Sequence, residues 1–242
     1  MMPTQDRLYA AMEATWPAAA KQTLGPWTIR DGQGGGKRVS AATADGAWTP
    51  GDIAAAEAAM AKLGQPALFQ VRGGEEALDA ALAARGYVVV DPVTLYAIDV
   101  DDLLRDPMPG YVHYAVWEPL AIQRRIWEKG GIGPARWAVM DRVTGPKSAL
   151  LTRRDMAPGG TAFVALDGDI AMIHAIEVLP EMRRKGMGAL LMRKAALWAR
   201  DHGAQTLALA VTRGNTGGNA LYRGLGMTDV GAYHYRIKEE PR

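Results

Sequence analysis

The stretch Val178-Leu179-Pro180-Glu181-Met182-Arg183-Arg184-Lys185-Gly186-Met187-Gly188 constrains this 242-residue chain more than any other. It joins an apolar, strand-like run over 170–178 to a segment, 187–200, in which Met187, Leu190, Leu191, Ala195 and Trp198 recur at helical spacing. A helix therefore starts at the glycines. The first turn of a helix presents backbone N–H groups without an intrahelical acceptor, and its dipole favours negative charge. Gly186 and Gly188 have no Cβ to hold an anion off the backbone, and Arg183, Arg184 and Lys185 add charge-assisted donors. A solvated helix start is the plain reading of the basic triplet alone. Together the features predict a site for a pyrophosphate-sized anion. The Walker spacing is absent, and the three-glycine dinucleotide pattern is incomplete.

Around this stretch the pattern is mixed. Strands are expected over 148–153, 161–166 and 170–178, the last two turning at Asp167-Gly168-Asp169. Gly203 ends the 187–200 helix, and a strand (206–211), a helix (216–224) and a strand (227–237) follow. Upstream, a strand over 111–117 and a helix over 120–129 precede glycine-rich 130–133 and mixed sequence to Val143. The first half opens with a helix over 5–20, then two extended runs, 27–30 and 38–42, which read as a hairpin around Gly34-Gly35-Gly36. A helix over 51–63 is capped by Thr49 with Pro50 in its first turn. A strand (67–71), a helix (75–85) stopped by Gly86, and a strand over 87–100 interrupted by Pro92 complete it. Two prolines, a glycine and three aspartates within 101–110 suggest a linker, so the chain is cut into 1–107 and 108–242. A faint repeat sets Gly86 against Gly226 and Leu82 against Tyr222, which suggests a duplication; recurrence of a common strand–helix–strand unit is the alternative.

Composition closes several routes. The chain has no cysteine, so disulfides, thiol nucleophiles and thiolate metal sites are excluded, and four scattered histidines argue against a metal cluster. A formal charge of +2 does not suggest a nucleic-acid surface. No apolar run approaches membrane-spanning length, and residues 1–20 lack a signal-peptide core, so no membrane partner and a cytoplasmic location are expected.

Arg183-x-x-Gly186-x-Gly188, preceded by Val178-x-Pro180, resembles the acyl-CoA pyrophosphate loop of the GNAT acetyltransferase superfamily. Asn215, Gly218, Leu221, Tyr222, Gly226 and Met227 resemble that superfamily's second element, N-x-x-A/G-x-x-L-Y-x-x-x-G-F. The resemblance covers 110–238. It implies an α/β fold with a mixed, mostly antiparallel sheet, in which the parallel strands 170–178 and 206–211 splay to admit the pantetheine arm beside Val178. It further implies acetyl-CoA as acyl donor, with no metal, held by Val178, Arg183, Arg184, Lys185, Gly186, Met187, Gly188, Asn215 and Tyr222. The reaction implied is direct attack of an amine, on a small molecule or peptide, on the thioester. Tyr222 stands at the family's acid position, and Asn215 also suits a helix cap. Ala210 stands where some members carry a glutamate base. His174 and Glu177 remain as bases; three residues apart, they face opposite sides of a strand unless a bulge intervenes. His174 is preferred, because it shares the offset of a histidine in the arylalkylamine branch and titrates near neutrality; Glu177 would need its pKa raised by burial.

The first half lacks both the loop and the tyrosine. It resembles a degenerate copy of the fold with a structural or acceptor-shaping role, and its segment 32–36 reads as either a lid or a disordered turn. Trp48, Trp117, Trp127 and Trp137 are core residues or the wall of an acceptor pocket. The competing function is a non-catalytic acyl-CoA-binding module.

Overall fold

The computed structural model describes residues 2–105, 114–154 and 156–238. Along the chain run α1 (Gln5–Thr15), β1 (Ala20–Leu24), β2 (Trp27–Asp31), β3 (Thr43–Ala44), α2 (Pro50–Lys62), β4 (Leu68–Arg72), α3 (Glu76–Ala84) and β5 (Tyr87–Asp99). There follow α4 (Val100–Leu103), β6 (Tyr114–Val116), α5 (Ala121–Lys129), α6 (Pro134–Arg142), β7 (Lys147–Arg154), β8 (Ala157–Asp167) and β9 (Ile170–Val178). The last four are α7 (Met187–Asp201), β10 (Thr206–Thr212), α8 (Thr216–Gly224) and β11 (Thr228–Lys238). The cut at 107/108, linker residues 106–110 and strand residues 111–113 lie outside the described residues.

Two units form, neither continuous in sequence. Met1–Pro17, Leu95–Val211 and Asn215–Val230 make the first, and Ala18–Thr94, Thr212–Gly214 and Gly231–Arg242 the second. The first unit holds a mixed sheet in the order β5–β10–β9–β8–β7–β6, with β9 and β10 parallel and the β9–β8, β8–β7 and β7–β6 pairs antiparallel. One face of this sheet packs on α7, where Leu191, Ala195 and Ala199 bury fully against Leu150, Val164 and Ala171. The helical stripe read from the sequence is this buried face. The other face of β8 and β9 carries α1 and α5. Arg7 of α1 anchors there, donating to the Asp167 carboxylate at 2.6 Å beside the Gly168 turn, where Gly168 has φ +58°.

The second unit packs α2 and α3 over β2 and β4, burying Trp27, Ile29, Ile53, Met60, Phe69, Leu82 and Tyr87. The start of α2 is as expected: Pro50 occupies the first turn, and the Asp52 carboxylate accepts from both the backbone N–H and the hydroxyl of Thr49 at 2.7 Å.

Four expectations needed correction. Pro17 follows directly on the last turn of α1, so the helix stops at Thr15 and Ala20 starts a strand. The first hairpin is β1–β2, turning at Gly25-Pro26 with Leu24 opposite Trp27; Gly25 has φ +56°, which a residue with a Cβ adopts only at a cost. The 32–36 segment instead leads into a 3₁₀ turn, Lys37–Val39. It is held by Gln65, whose amide oxygen accepts from Gly32 N–H at 2.8 Å and whose amide nitrogen donates to Arg30 O at 2.7 Å. Residues 134–142, read as irregular, form α6, begun by Pro134 at its first position. Finally, β5 runs through Pro92, with Asp91 at φ +44° absorbing the bend.

Candidate active site

Small-molecule sites are clefts of about 300–1,000 Å³; the first unit contains one of about 630 Å³. Its walls are the end of β9 (Ile176, Glu177, Val178), the loop into α7 (Met182, Arg183, Arg184, Gly186, Met187, Gly188) and the start of α8 (Asn215, Gly218, Leu221, Tyr222). The two sequence motifs thus meet in one cavity. Parallel pairing of β9 and β10 is confined to Ile170–Met172 against Thr206–Ala208, so among the described residues the strands part before Val178.

The loop geometry explains its glycines. Gly186 has φ +80° as the residue before α7, and no side chain caps that helix. The N–H groups of its first turn are therefore turned to the cleft side without a side-chain acceptor. Gly188 lets α7 and α8 approach closely: a Cβ there would lie 2.7 Å from Cδ2 of Leu221 on α8, so that side chain would have to shift. Arg184 has φ +58°, a left-handed conformation for a residue with a Cβ. Lys185 is exposed and does not line the cleft; its carbonyl accepts from Arg154 Nη1 at 3.1 Å, a brace from the end of β7 that no sequence signal foretold. Arg183 is turned back on β9, with Nε donating to Val178 O at 3.2 Å and Nη2 3.4 Å from Glu177 Oε1.

At the start of α8, Asn215 acts as the cap, its side-chain oxygen accepting from Gly218 N–H at 2.9 Å. This cap also accounts for Gly218, where a Cβ would lie 2.8 Å from Asn215 Nδ2. Tyr222 is 5% exposed and packs against Tyr96, with ring centroids 5.9 Å apart. Burial pushes its phenol up to about 12, so it keeps its proton throughout the working pH range.

The base candidates separate. The β8–β9 register shifts between Thr161 and Phe163: Phe163 opposes His174, and Thr161 opposes Glu177. The extra residue on β9 is a bulge, with Ala175 at φ +49°. Because Thr161 and Phe163 share a face, their partners His174 and Glu177 share one too. Glu177 lines the cleft. His174 does not; it is 4% exposed beneath α1, 5.1 Å from the Trp16 ring. The Thr15 hydroxyl donates to Ala11 O at 2.6 Å and lies 2.9 Å from His174 Nε2. A hydroxyl has one proton, so in this pair the imidazole Nε2–H is the donor. Over Glu177 lies Gly130, where α5 ends. Trp127 is fully buried and donates from Nε1 to Ala175 O at 2.8 Å, holding α5 on the bulge. None of Trp48, Trp117, Trp127 and Trp137 lines the cleft, and Ala210 does not reach it.

The profile of the acetyltransferase (GNAT) family matches residues 105–227, just over half of the chain and both motifs. The chain belongs to the GNAT family. It is an acyltransferase of a family that transfers acetyl groups to amines, generally from acetyl-CoA. It is 26% identical over 238 residues to the uncharacterized N-acetyltransferase YobR of Bacillus subtilis, covering 93% of this chain and 95% of that one. Its fold is similar to that of a GCN5-related N-acetyltransferase from Kribbella flavida, with a TM-score of 0.74 and 20% identity over 100% of this chain and 98% of the other. It is also similar to a tandem GNAT protein from the clavulanic acid biosynthesis pathway, with a TM-score of 0.62 and 15% identity over 84% and 76% of the chains. Among the described residues no cluster of metal-ligating side chains occurs, and no helix is long and apolar enough to cross a membrane.

Proposed function

We propose that this GNAT acyltransferase uses acetyl-CoA to acetylate a primary amine on a small molecule or peptide, with the donor held in the cleft of the first unit. The observation that carries this reading is the meeting, in one cavity, of the uncapped start of α7, the end of β9 beyond its pairing with β10, Tyr222 and Glu177. The residues fit the donor. Glycine at 186 and 188 keeps the backbone open, and the α7 N–H groups with Arg183 and Arg184 suit a pyrophosphate. The unpaired edge of β9 near Val178 suits pantetheine amides. When bound, the thioester supplies an activated acyl group.

Glu177 takes the proton from the acceptor ammonium, and its place in the cleft wall favours it over His174. Tyr222 holds a phenol proton for the leaving sulfur, which its burial keeps in place. His174 ties β9 to α1. In this reading residues 1–107 derive from a degenerate copy of the fold, with Leu82 where Tyr222 stands in 108–242; a hydrocarbon has no proton to give. The two strand–helix–strand units support this: α3 and α8 are each followed by a left-handed glycine, Gly86 at φ +81° and Gly226 at φ +80°.

The test is a panel of primary amines assayed for free-thiol release from acetyl-CoA. Amine-dependent release that falls by about 10²-fold or more in Glu177→Gln is expected. Stoichiometric acetyl-CoA binding without turnover on any amine would instead support a non-catalytic acyl-CoA module.

A further inference from the structure

A second cavity, of about 370 Å³, lies wholly within the second unit, lined by the end of β4 with Arg72, the start of α3, β5 residues Val89 and Pro92, the middle of β11 and Arg213. Acetyl transfer as described above makes no use of it. Its volume suits a single small metabolite.

The wall contains an oriented Asp–His pair. Asp79 Oδ1 accepts from His234 Nε2 at 2.6 Å and from Arg236 Nε at 2.7 Å, and Oδ2 accepts from Arg236 Nη2 at 3.0 Å. Those bonds, the guanidinium's above all, hold the Asp79 carboxyl down at about 2. An ionised carboxylate can only accept, so Nε2 carries its hydrogen, and Nδ1 is the ring nitrogen left for a ligand. Nδ1 makes no bond within the described residues.

Glu75 and Glu76 stand in the same wall. One oxygen of Glu75 accepts from Arg72 N–H at 2.7 Å, which leaves the other open. Burial, with smaller contributions from Asp45 and Glu76, pushes the Glu75 carboxyl up despite the N–H and the charge of Arg72. Glu75 thus stands half-buried in the cavity wall, where a ligand cation placed beside it would favour its ionised form. Arg213 lines the same wall, and the five donors of a guanidinium can serve a carboxylate beside its other partners; Val89 and Pro92 add apolar surface.

We propose that this cavity binds a small aliphatic α-amino acid. Its ammonium donates to Glu75, Glu76 and His234 Nδ1, its carboxylate accepts from Arg213, and its side chain lies against Val89 and Pro92. This site is separate from the acyl-CoA cleft, so its test does not depend on acetyl transfer.

Three probes share one hydrocarbon tail and differ in their charged groups: L-norleucine, pentylamine, which lacks the carboxylate, and hexanoate, which lacks the ammonium. The full-length ¹⁵N-labelled protein is titrated with each, following the His234 ring nitrogens and the amides of Gly73, Glu75 and Ala232. The expected result is saturable shifts with norleucine, and binding weaker by at least about tenfold for the two partial analogues, the ratio for about 1.4 kcal/mol. Glu75→Gln retains an acceptor for Arg72 N–H and is expected to weaken norleucine by a similar factor. Glu76→Gln, on an exposed side chain, is the second variant if Glu75→Gln lowers Tm. The proposal is overturned by the absence of saturable shifts with norleucine, by a partial analogue binding as tightly, or by both glutamine variants binding norleucine like the wild type.

Discussion

Gly130 and Gly131 are adjacent glycines with opposite reasons for being glycine, and this sets up a sharp test of Glu177. Gly130 ends α5 with φ −86° and ψ 6°, a conformation open to any residue. Its Cβ, however, would lie 2.5 Å from Cδ and 2.7 Å from Cγ of Glu177, and nearer still to Oε2. Carbon atoms rest at about 3.5 Å, so Gly130→Ala moves the carboxylate by about 1 Å. The displaced atoms are the free end of a flexible side chain, so the stability cost is small. Misplacing a catalytic group by 1 Å can cost about 10²-fold in rate. Gly131 is the reverse case: its Cβ would meet nothing within 4 Å, but its φ is +75°. Gly131→Ala is expected to cost about 1–2 kcal/mol of stability through the left-handed backbone and little of kcat. Thermal melts and thiol-release kinetics at saturating acetyl-CoA read both quantities. Gly130→Ala is expected to lose turnover while keeping Tm and donor affinity, and Gly131→Ala to lose Tm while keeping turnover. Wild-type turnover in Gly130→Ala, or equal losses in both variants, would refute the placement of Glu177 at the reacting centre.

Tyr222→Phe is expected to lower kcat by about 10²-fold, as loss of a general acid does, and with its phenol pushed up to about 12 the wild-type pH–rate profile is expected to show no falling limb from this group below pH 10 or so. His174→Gln is expected to lower Tm, by removing a buried ring that meets Trp16 and Thr15, while leaving the acidic limb of the profile in place; loss of that limb would return the base role to His174. Asp79 has a folded pKa of about 2 against an ordinary 3.8, so its contribution to stability is complete above pH 3.8 and lost as the pH falls through 2. Unfolding midpoints in that window are expected to fall less steeply in Asp79→Asn, by a modest margin because the carboxylate is 31% exposed and solvent screens its partners.

The second half was the more legible because its signals are local. A helix start with glycines, a hydrophobic stripe and a two-residue turn each depend on a few neighbouring residues, and β9 and α8 fall where their patterns put them. The first hairpin failed because Gly34-Gly35-Gly36 is a louder turn signal than Gly25-Pro26, although only the latter has strands in register on both sides. The α6 helix was hidden by flanking glycines and a weakly amphipathic pattern. The glycines and arginines of the 183–188 loop could be read, but not that Lys185 lies outside the cleft lining. The choice between His174 and Glu177 could not be made from alternation alone. It turns on the bulge at Ala175, which carries no glycine to announce it, and on α1, a helix more than 150 residues distant in sequence that covers His174. Gly130, Trp127 and Arg154 matter only through contacts made across the fold.

The central claim is that acetyl-CoA is held at the Arg183–Gly188 loop, and calorimetric titration of the wild type and Gly186→Glu tests it most directly. Gly186 has open space around its Cα, so the new side chain does not break the packing, though its φ of +80° costs some stability and a melt must show that the variant is folded. It places a carboxylate at the start of α7, where the pyrophosphate would lie. The wild type is expected to bind one acetyl-CoA, and the folded variant to lose that binding by at least about 10²-fold, the factor for about 2.7 kcal/mol. Equal affinity in a folded Gly186→Glu would contradict the assignment of this loop.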